Sequence, residues 1–290
     1  MVTRNGLPME KKPQPQKNRG EGMKLIADNL RITQPKIKYA LQQRDPEPVQ
    51  ALVKACEKCG AWAIDVNTGP LGKLAEPGMR FFMDAVQAVT DLPLLIDTAN
   101  PDAMTAGVKS AKNRIIINGF SLEPRKLEKI LPLAREYEAD IVGFLLYPDS
   151  RVPKDAAQRF EVALDLMAAA ESAGVAKEQV IIDPVIPPLS WTDGIVQARH
   201  VLEVIRTLPD LLGFPVRTIG GISNLGTSAP DKAGRLCVEQ SYVAMLASAG
   251  LDFALLDILN PDLVRAAQVS RILAKEEIFS WGMVPHSGAV

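Results

Sequence analysis

Histidine and cysteine are scarce in these 290 residues, and each scarcity removes a class of function. Only two histidines occur, His200 inside a helical pattern and His286 near the C-terminal end. A zinc centre built on imidazoles therefore lacks its ligands, and no protein-bound metal is expected. Three cysteines do not make a disulfide framework and fit a reducing, cytoplasmic compartment. No apolar run approaches the roughly 20 residues that span a bilayer. Neither sign of charge dominates. Thirty-three Lys and Arg face 34 Asp and Glu, for a net charge of −1, which gives no field suited to nucleic acid or an anionic membrane. A glycine-rich phosphate turn is also missing after the first strand, which reads IADNLRIT.

What the chain does have is an apolar fraction of 47%, ample for one large core. Residues 1–22 carry five Lys/Arg against two Asp/Glu and no apolar stretch, so they read as a disordered leader and not as a secretory signal. From Met23 onward, short apolar runs alternate with longer helical patterns. The runs are Lys24–Ala27, Ala61–Val66, Leu92–Ile96, Asn113–Ile117, Asp140–Leu146, Val180–Ile182, Val216–Ile219 and Asp252–Leu256. Most are nearly continuous Ile, Leu, Val and Ala, as strands buried on both faces of a parallel sheet require. Between them lie helical stretches such as Asp155–Ala173 and Pro261–Lys275. Gly60, Gly174 and Gly250 fall at helix ends, and Pro35, Pro77, Pro101, Pro124 and Pro261 at helix starts. Eight strands in strict alternation allow a doubly wound open sheet or a closed barrel. The count, and the missing phosphate turn, favour a single (β/α)8 TIM barrel over residues 23–280, with 281–290 as a C-terminal tail.

In such a barrel the chemistry sits on the loops that follow each strand. Strand one ends in Asp28-Asn29, strand two in Asp65-Val66-Asn67, and strand three in Asp97 with Asn100 just after. Strand four ends in Asn118 and strand six in Asp183. Strand seven runs into Gly220-Gly221-Ile222-Ser223-Asn224, and strand eight ends in Asp257. Strand five, with Leu146-Tyr147-Pro148, is the exception. Any one of these residues can simply cap a helix or make a turn, and Asp257 in particular fits a cap on the last helix. As a set they make an acceptor-rich rim with little positive charge, since only Arg31 and Lys73 stand close behind a strand end. A phosphorylated substrate is therefore disfavoured. Carboxylates accept paired N–H donors and carboxamides both donate and accept, which suits a flat heterocycle with an amino group, a ring N–H and a carbonyl. A pterin or a purine satisfies that description equally.

The segments GAWAIDVNTGP (60–70), LPLLIDTANPDAM (92–104), KNRIIINGFS (112–121), VIIDPVIPPL (180–189) and IGGISNLG (219–226) carry a resemblance. In order and with barrel spacing, they resemble the pterin-binding methyltransferase family. Within it they look most like the methyltetrahydrofolate:corrinoid/iron–sulfur protein methyltransferases and the folate domain of cobalamin-dependent methionine synthase. The resemblance implies that Asp97, Asn118 and Asp183 hold a pterin ring and that Asn224 reaches its N5. It also matches Asp65 and Asn67 to the family's DxN, with Asn100, Gly221 and Ser223 as further pterin contacts. One departure stands at strand one, where the family usually has a Gly-Glu-Arg-Ile-Asn-like segment and this chain has Ala27-Asp28-Asn29-Leu30-Arg31.

The implied reaction moves a methyl group between N5 of methyltetrahydrofolate, or a related tetrahydropterin, and the cobalt of a cobalamin-type corrinoid on a partner protein. That partner is of the iron–sulfur or small cobalamin-binding type, and the family implies a homodimer. Asn224 is the expected catalytic residue; an amide is a poor acid, so the N5 proton would travel through water or a network that includes Asp65 or Asp97. Two other readings are a non-catalytic pterin-binding or corrinoid-docking module and dihydropteroate synthase. The latter should carry an Asn-Val-Thr-Pro-Asp-Ser-Phe-like first loop and a basic Ser-Arg-Lys-like seventh loop, where this chain has DNLRIT and GGISNLG. Cys56-x-x-Cys59 and Cys237 fall in helical patterns and read as packing, as do Trp62, Trp191 and Trp281.

Overall fold

The computed structural model describes residues 22–69, 72–274 and 278–285, so the leader up to residue 21 and the tail from 286 lie outside the described residues. All eight expected strands form: β1 (Lys24–Arg31), β2 (Ala63–Asn67), β3 (Leu94–Asp97), β4 (Ile115–Phe120), β5 (Asp140–Phe144), β6 (Val180–Asp183), β7 (Arg217–Gly221) and β8 (Phe253–Leu256). Each pairs in parallel with its neighbours in the chain, and β8 returns to β1 to close the barrel. Outside it run α1 (Pro35–Gln43), α2 (Glu47–Lys58), α3 (Ala75–Gln87), α4 (Pro101–Ser110), α5 (Pro124–Glu136), α6 (Ala156–Ser172), α7 (Gly194–Leu212), α8 (Lys232–Ala249) and α9 (Pro261–Leu273). None of the described helices is long and apolar enough to cross a membrane.

The continuous apolar runs are explained by two cores that share the same strands. Alternate residues point outward, so Leu25, Ile64, Leu94, Ile96, Ile117 and Ile182 pack under the helices. The residues between them point inward, and Ile26, Ala63, Leu95, Ile116, Val142, Ile181, Ile219 and Phe253 fill the lumen. The lumen is therefore plugged, and a ligand can only sit above the plug, at the carboxyl ends of the strands. At the opposite end Trp62 stacks near Phe253, with ring centroids 5.1 Å apart, and Lys24 covers the Trp62 ring. Asp140 there binds Arg217 (2.7 Å) and Arg114 (2.7 Å), so its carboxylate serves stability at the barrel floor.

Helix boundaries follow the punctuation in the sequence. Pro35, Pro101, Pro124 and Pro261 each open a helix, while Pro77 is the third residue of α3. Gly60, Gly174 and Gly250 take φ of +86°, +79° and +92° just past a helix, the left-handed turn that glycine makes without strain. Asp155 caps α6 through Gln158 N–H, and Asn260 caps α9 through Asp262 and Leu263 N–H. Asp257 is thus not the cap expected of it. Cys56 is buried in α2, with its thiol pushed up to about 12 by burial, which is the condition of a packing residue.

The largest departure from expectation is β1. It continues past Ala27 to Arg31, with a register shift against β2 between Ala27 and Leu30. Asp28 and Asn29 therefore sit in a bulge and not in a loop.

Candidate active site

Counting two residues upward from each lumen side chain keeps the same inward direction and predicts which groups ring the mouth. Ile26 leads to Asp28, Ala63 to Asp65, Leu95 to Asp97, Ile116 to Asn118, Ile181 to Asp183, Ile219 to Gly221 and Leu255 to Asp257. On β5, Val142 leads to Phe144, a half-buried ring that the sequence reading passed over. The rim is therefore a layer of carboxyl and carboxamide groups on an apolar floor, interrupted by one aromatic ring and one glycine.

On the β2–β4 side the groups are held by one another. Asn67 Nδ2 donates to Asp97 Oδ2 at 2.6 Å, and Asn67 Oδ1 accepts from Gly69 N–H at 3.0 Å. Asn67 thus orients Asp97. Asp97 is register partner to both Asn67 and Asn118 across the sheet. Asn118 is buried, and its carboxamide makes no hydrogen bond among the described residues. Asp65 lies deeper, 1% exposed, and among the described residues its Oδ1 and the hydroxyl of buried Thr68 have no partner. Asp183 stands across the mouth with Oδ1 accepting from Val185 N–H at 2.7 Å.

On the β1–β7 side Arg31 Nε donates to Asp28 Oδ1 at 2.7 Å, and its Nη2 reaches both Asp28 Oδ2 and Ser223 Oγ, the latter at 3.1 Å. Ser223 Oγ in turn donates to Asp28 Oδ2 at 3.1 Å. Ser223 belongs to the 3-10 turn Ile222–Asn224 that follows β7, so the ion pair of the β1 bulge clamps the turn carrying Asn224. Asn224 itself is exposed, with no side-chain hydrogen bond among the described residues. A β-carbon at Gly221 would stand 3.3 Å from Asn224 Nδ2, so glycine leaves that carboxamide its room.

Two of the rim residues are structural. Asn29 donates to Asp257 Oδ1 at 2.6 Å and accepts from Ile258 N–H at 3.1 Å, which ties β1 to the loop after β8. The Asn100 carboxamide oxygen caps α4 through Asp102 and Ala103 N–H at 2.9 and 3.1 Å.

Burial dominates the electrostatics. It raises the Asp183 carboxyl to about 7, against the opposing Val185 N–H bond. Burial, with Asp28 adding to it, raises Asp97 to about 6, while Asn67, Arg31 and Lys126 oppose. Asp65 is pushed well up by burial and by Asp97 and Asp28. Asp97 and Asp183 each accept one N–H donor and Asp65 Oδ1 none among the described residues, and a ligand that brings further donors would favour the ionised forms. In the ligand-free protein the sign is the reverse. The native state keeps protons that the unfolded chain loses, so the stability from Asp183 is full below 3.8 and lost as pH rises through about 7. Asp183→Asn cannot ionise, so its urea midpoint should gain on wild type between about pH 5 and pH 8. A constant difference across that range would contradict the raised carboxyl.

Known proteins give this barrel its context. The profile of the pterin binding enzyme family matches residues 32–257. The chain is 23% identical over 248 residues to a methylcorrinoid:tetrahydrofolate methyltransferase of Eubacterium limosum, covering 84% of this chain and 88% of that protein. It is 22% identical over 228 residues to methionine synthase of Mycobacterium tuberculosis, covering 74% of this chain but only 18% of that longer protein. Among solved structures, a dihydropteroate synthase of Xanthomonas albilineans superposes with a TM-score of 0.64 at 17% identity, covering 89% of this chain and 95% of the other. A Yersinia pestis counterpart bound to a pterine–sulfa conjugate gives 0.61 at 16% identity, covering 86% and 93%. At those identities the structural likeness is one of fold. Because the family match runs from the end of the first strand to the end of the last, the chain belongs to the pterin-binding enzyme family.

Proposed function

We propose that this protein is a methyltransferase that moves a methyl group between N5 of a reduced folate and a corrinoid carried by a partner protein. The observation that carries the proposal is the composition of the mouth: buried carboxyls raised by desolvation, Asp65 with an unpartnered oxygen among the described residues, the buried Asn118 carboxamide, and the Asn224 carboxamide at the exposed lip. The family match and the methyltransferase relative of similar length support the same reading.

In this reading Asp183, Asp97 and Asn118 grip the pterin ring. Its adjacent N–H donors meet a carboxylate, and the carboxamide supplies one donor and one acceptor. Asp65, beneath them, adds acceptor capacity. Loss of the N5 methyl group must be matched by gain of a proton at N5, and methylation at N5 by loss of one. Asn224, at the open lip, hydrogen-bonds N5 and holds it toward the partner. The Asp28–Arg31–Ser223 clamp fixes its turn. The proton passes through water to the mouth carboxyls, and Asp97, raised to about 6, is the one poised to exchange it. The corrinoid supplies the cobalt that gives or takes the methyl group, and the chain contributes binding and orientation.

The dihydropteroate synthase fold neighbours raise a rival reading. It needs basic side chains for a pyrophosphate, whereas Arg31 is already engaged by Asp28. The two separate in one assay. The protein should exchange methyl between methyltetrahydrofolate and free cobalamin in its reduced cobalt state. Condensation of a dihydropterin pyrophosphate with p-aminobenzoate, and no methyl exchange with free or protein-bound corrinoid, would reverse the assignment.

A further inference from the structure

The guanidinium of Arg159 is completely buried, 0% exposed, in the first turn of α6. No carboxylate forms an ion pair with it among the described residues, although Asp155 and Asp193 lie near enough to favour its charge. Its Nε donates to the Pro184 carbonyl at 3.0 Å and its Nη2 to Gln197 Oε1 of α7 at 3.2 Å, while Nη1 has no partner among the described residues. Burying a cation with so few partners is costly, which argues that it is there for a reason other than packing.

The reason lies in one peptide group. The carbonyl of Pro184 and the N–H of Val185 belong to the same planar amide, so they point in opposite directions. The carbonyl accepts from Arg159; the N–H donates to Asp183 Oδ1 at 2.7 Å. A single amide thus stands between a buried cation and a buried carboxyl, with its dipole aligned to both. Val185 is held at φ +63°, a left-handed conformation that a β-branched side chain avoids. That conformation is what turns the N–H onto the carboxylate.

We infer that Arg159 is the positioning residue for Asp183: by gripping the Pro184 carbonyl it holds the Pro184–Val185 peptide in its left-handed orientation and so aims the carboxyl in the barrel mouth. The inference rests on the reading that Asp183 grips the pterin. Without Arg159 the peptide relaxes, Val185 leaves the left-handed region, and Asp183 loses its donor.

The test is calorimetric titration of tetrahydrofolate, across pH, into the wild type, Arg159→Met, and Arg159→Met combined with Val185→Gly. Arg159→Met should weaken binding by about tenfold or more and move its pH midpoint upward, since the carboxylate has lost its polarised donor. Adding Val185→Gly should recover most of the loss, because glycine takes φ +63° unaided. Core packing alone would produce neither the pH shift nor the rescue. Should Arg159→Met not fold, Arg159→Lys with and without Val185→Gly reads the same loss and recovery. Wild-type affinity after the Arg159 change, or a loss that glycine at 185 leaves untouched, overturns the inference. Asp183→Ala is titrated alongside; if it binds like the wild type, the underlying reading fails and takes the inference with it.

Discussion

Asp183→Ala and Asp97→Ala should each weaken binding of methyltetrahydrofolate by about a hundredfold, while the ligand-free proteins stay folded. A charge-assisted hydrogen bond contributes about 1.5–3 kcal/mol, and a carboxylate that accepts two adjacent N–H groups makes two of them. Two such bonds lost, less what water returns, correspond to roughly a hundredfold. Neither residue anchors the fold. Both stand one layer above the apolar plug, and their carboxyls are raised by burial that the single hydrogen bond each accepts does not offset. Asp97→Ala also strands the Asn67 Nδ2 that donates to it at 2.6 Å, so its loss should be the greater. Affinities within about threefold of wild type for both variants would remove the ring contacts from the account.

Asn224→Ala should divide the reaction differently. The methyl-transfer rate in a single turnover should fall by about a hundredfold, and the folate dissociation constant should change by less than about threefold. Asn224 is exposed at the lip and its carboxamide has no partner among the described residues, so truncating it costs the free protein little. In the proposed mechanism its contact with N5 matters most as the proton is gained or lost there, and an interaction that strengthens toward the transition state appears in the rate and not in binding. A larger effect on binding than on rate would place Asn224 among the ring contacts instead.

Much of this was legible in the sequence because a parallel barrel writes its strands as continuous apolar runs. Lys24–Ala27 and Val180–Ile182 needed no more than that. The rim was legible as a list of polar residues at strand ends, but the list mixed two kinds. Parity separates them. Asp97, Asn118 and Asp183 lie two residues above lumen side chains, whereas Asn29 stands one residue off that count and ties the barrel closed. Asn100, three residues past Asp97, spends its oxygen on a helix cap. The same parity, applied to Val142, would have found Phe144. The clamp of Asp28, Arg31 and Ser223 was hidden because it depends on a bulge within β1 and on a partner almost two hundred positions away in the chain. Arg159 was hidden more deeply. It reads as an ordinary helix residue, and its partners, 25 and 38 positions further on, come from two other elements.

The central claim is that buried carboxyls in the barrel mouth meet the N–H groups of a reduced pterin in their ionised form. Proton release on binding tests it most directly. Titrating tetrahydrofolate into the protein at about pH 6.5, in buffers of different ionisation enthalpy, measures the protons exchanged per ligand bound. Asp183, mostly protonated at that pH with its carboxyl at about 7, should release a proton as the ligand supplies donors. In Asp183→Asn the release should fall by the share that Asp183 contributes. Tight binding with no proton released, or release unchanged in Asp183→Asn, would contradict the account.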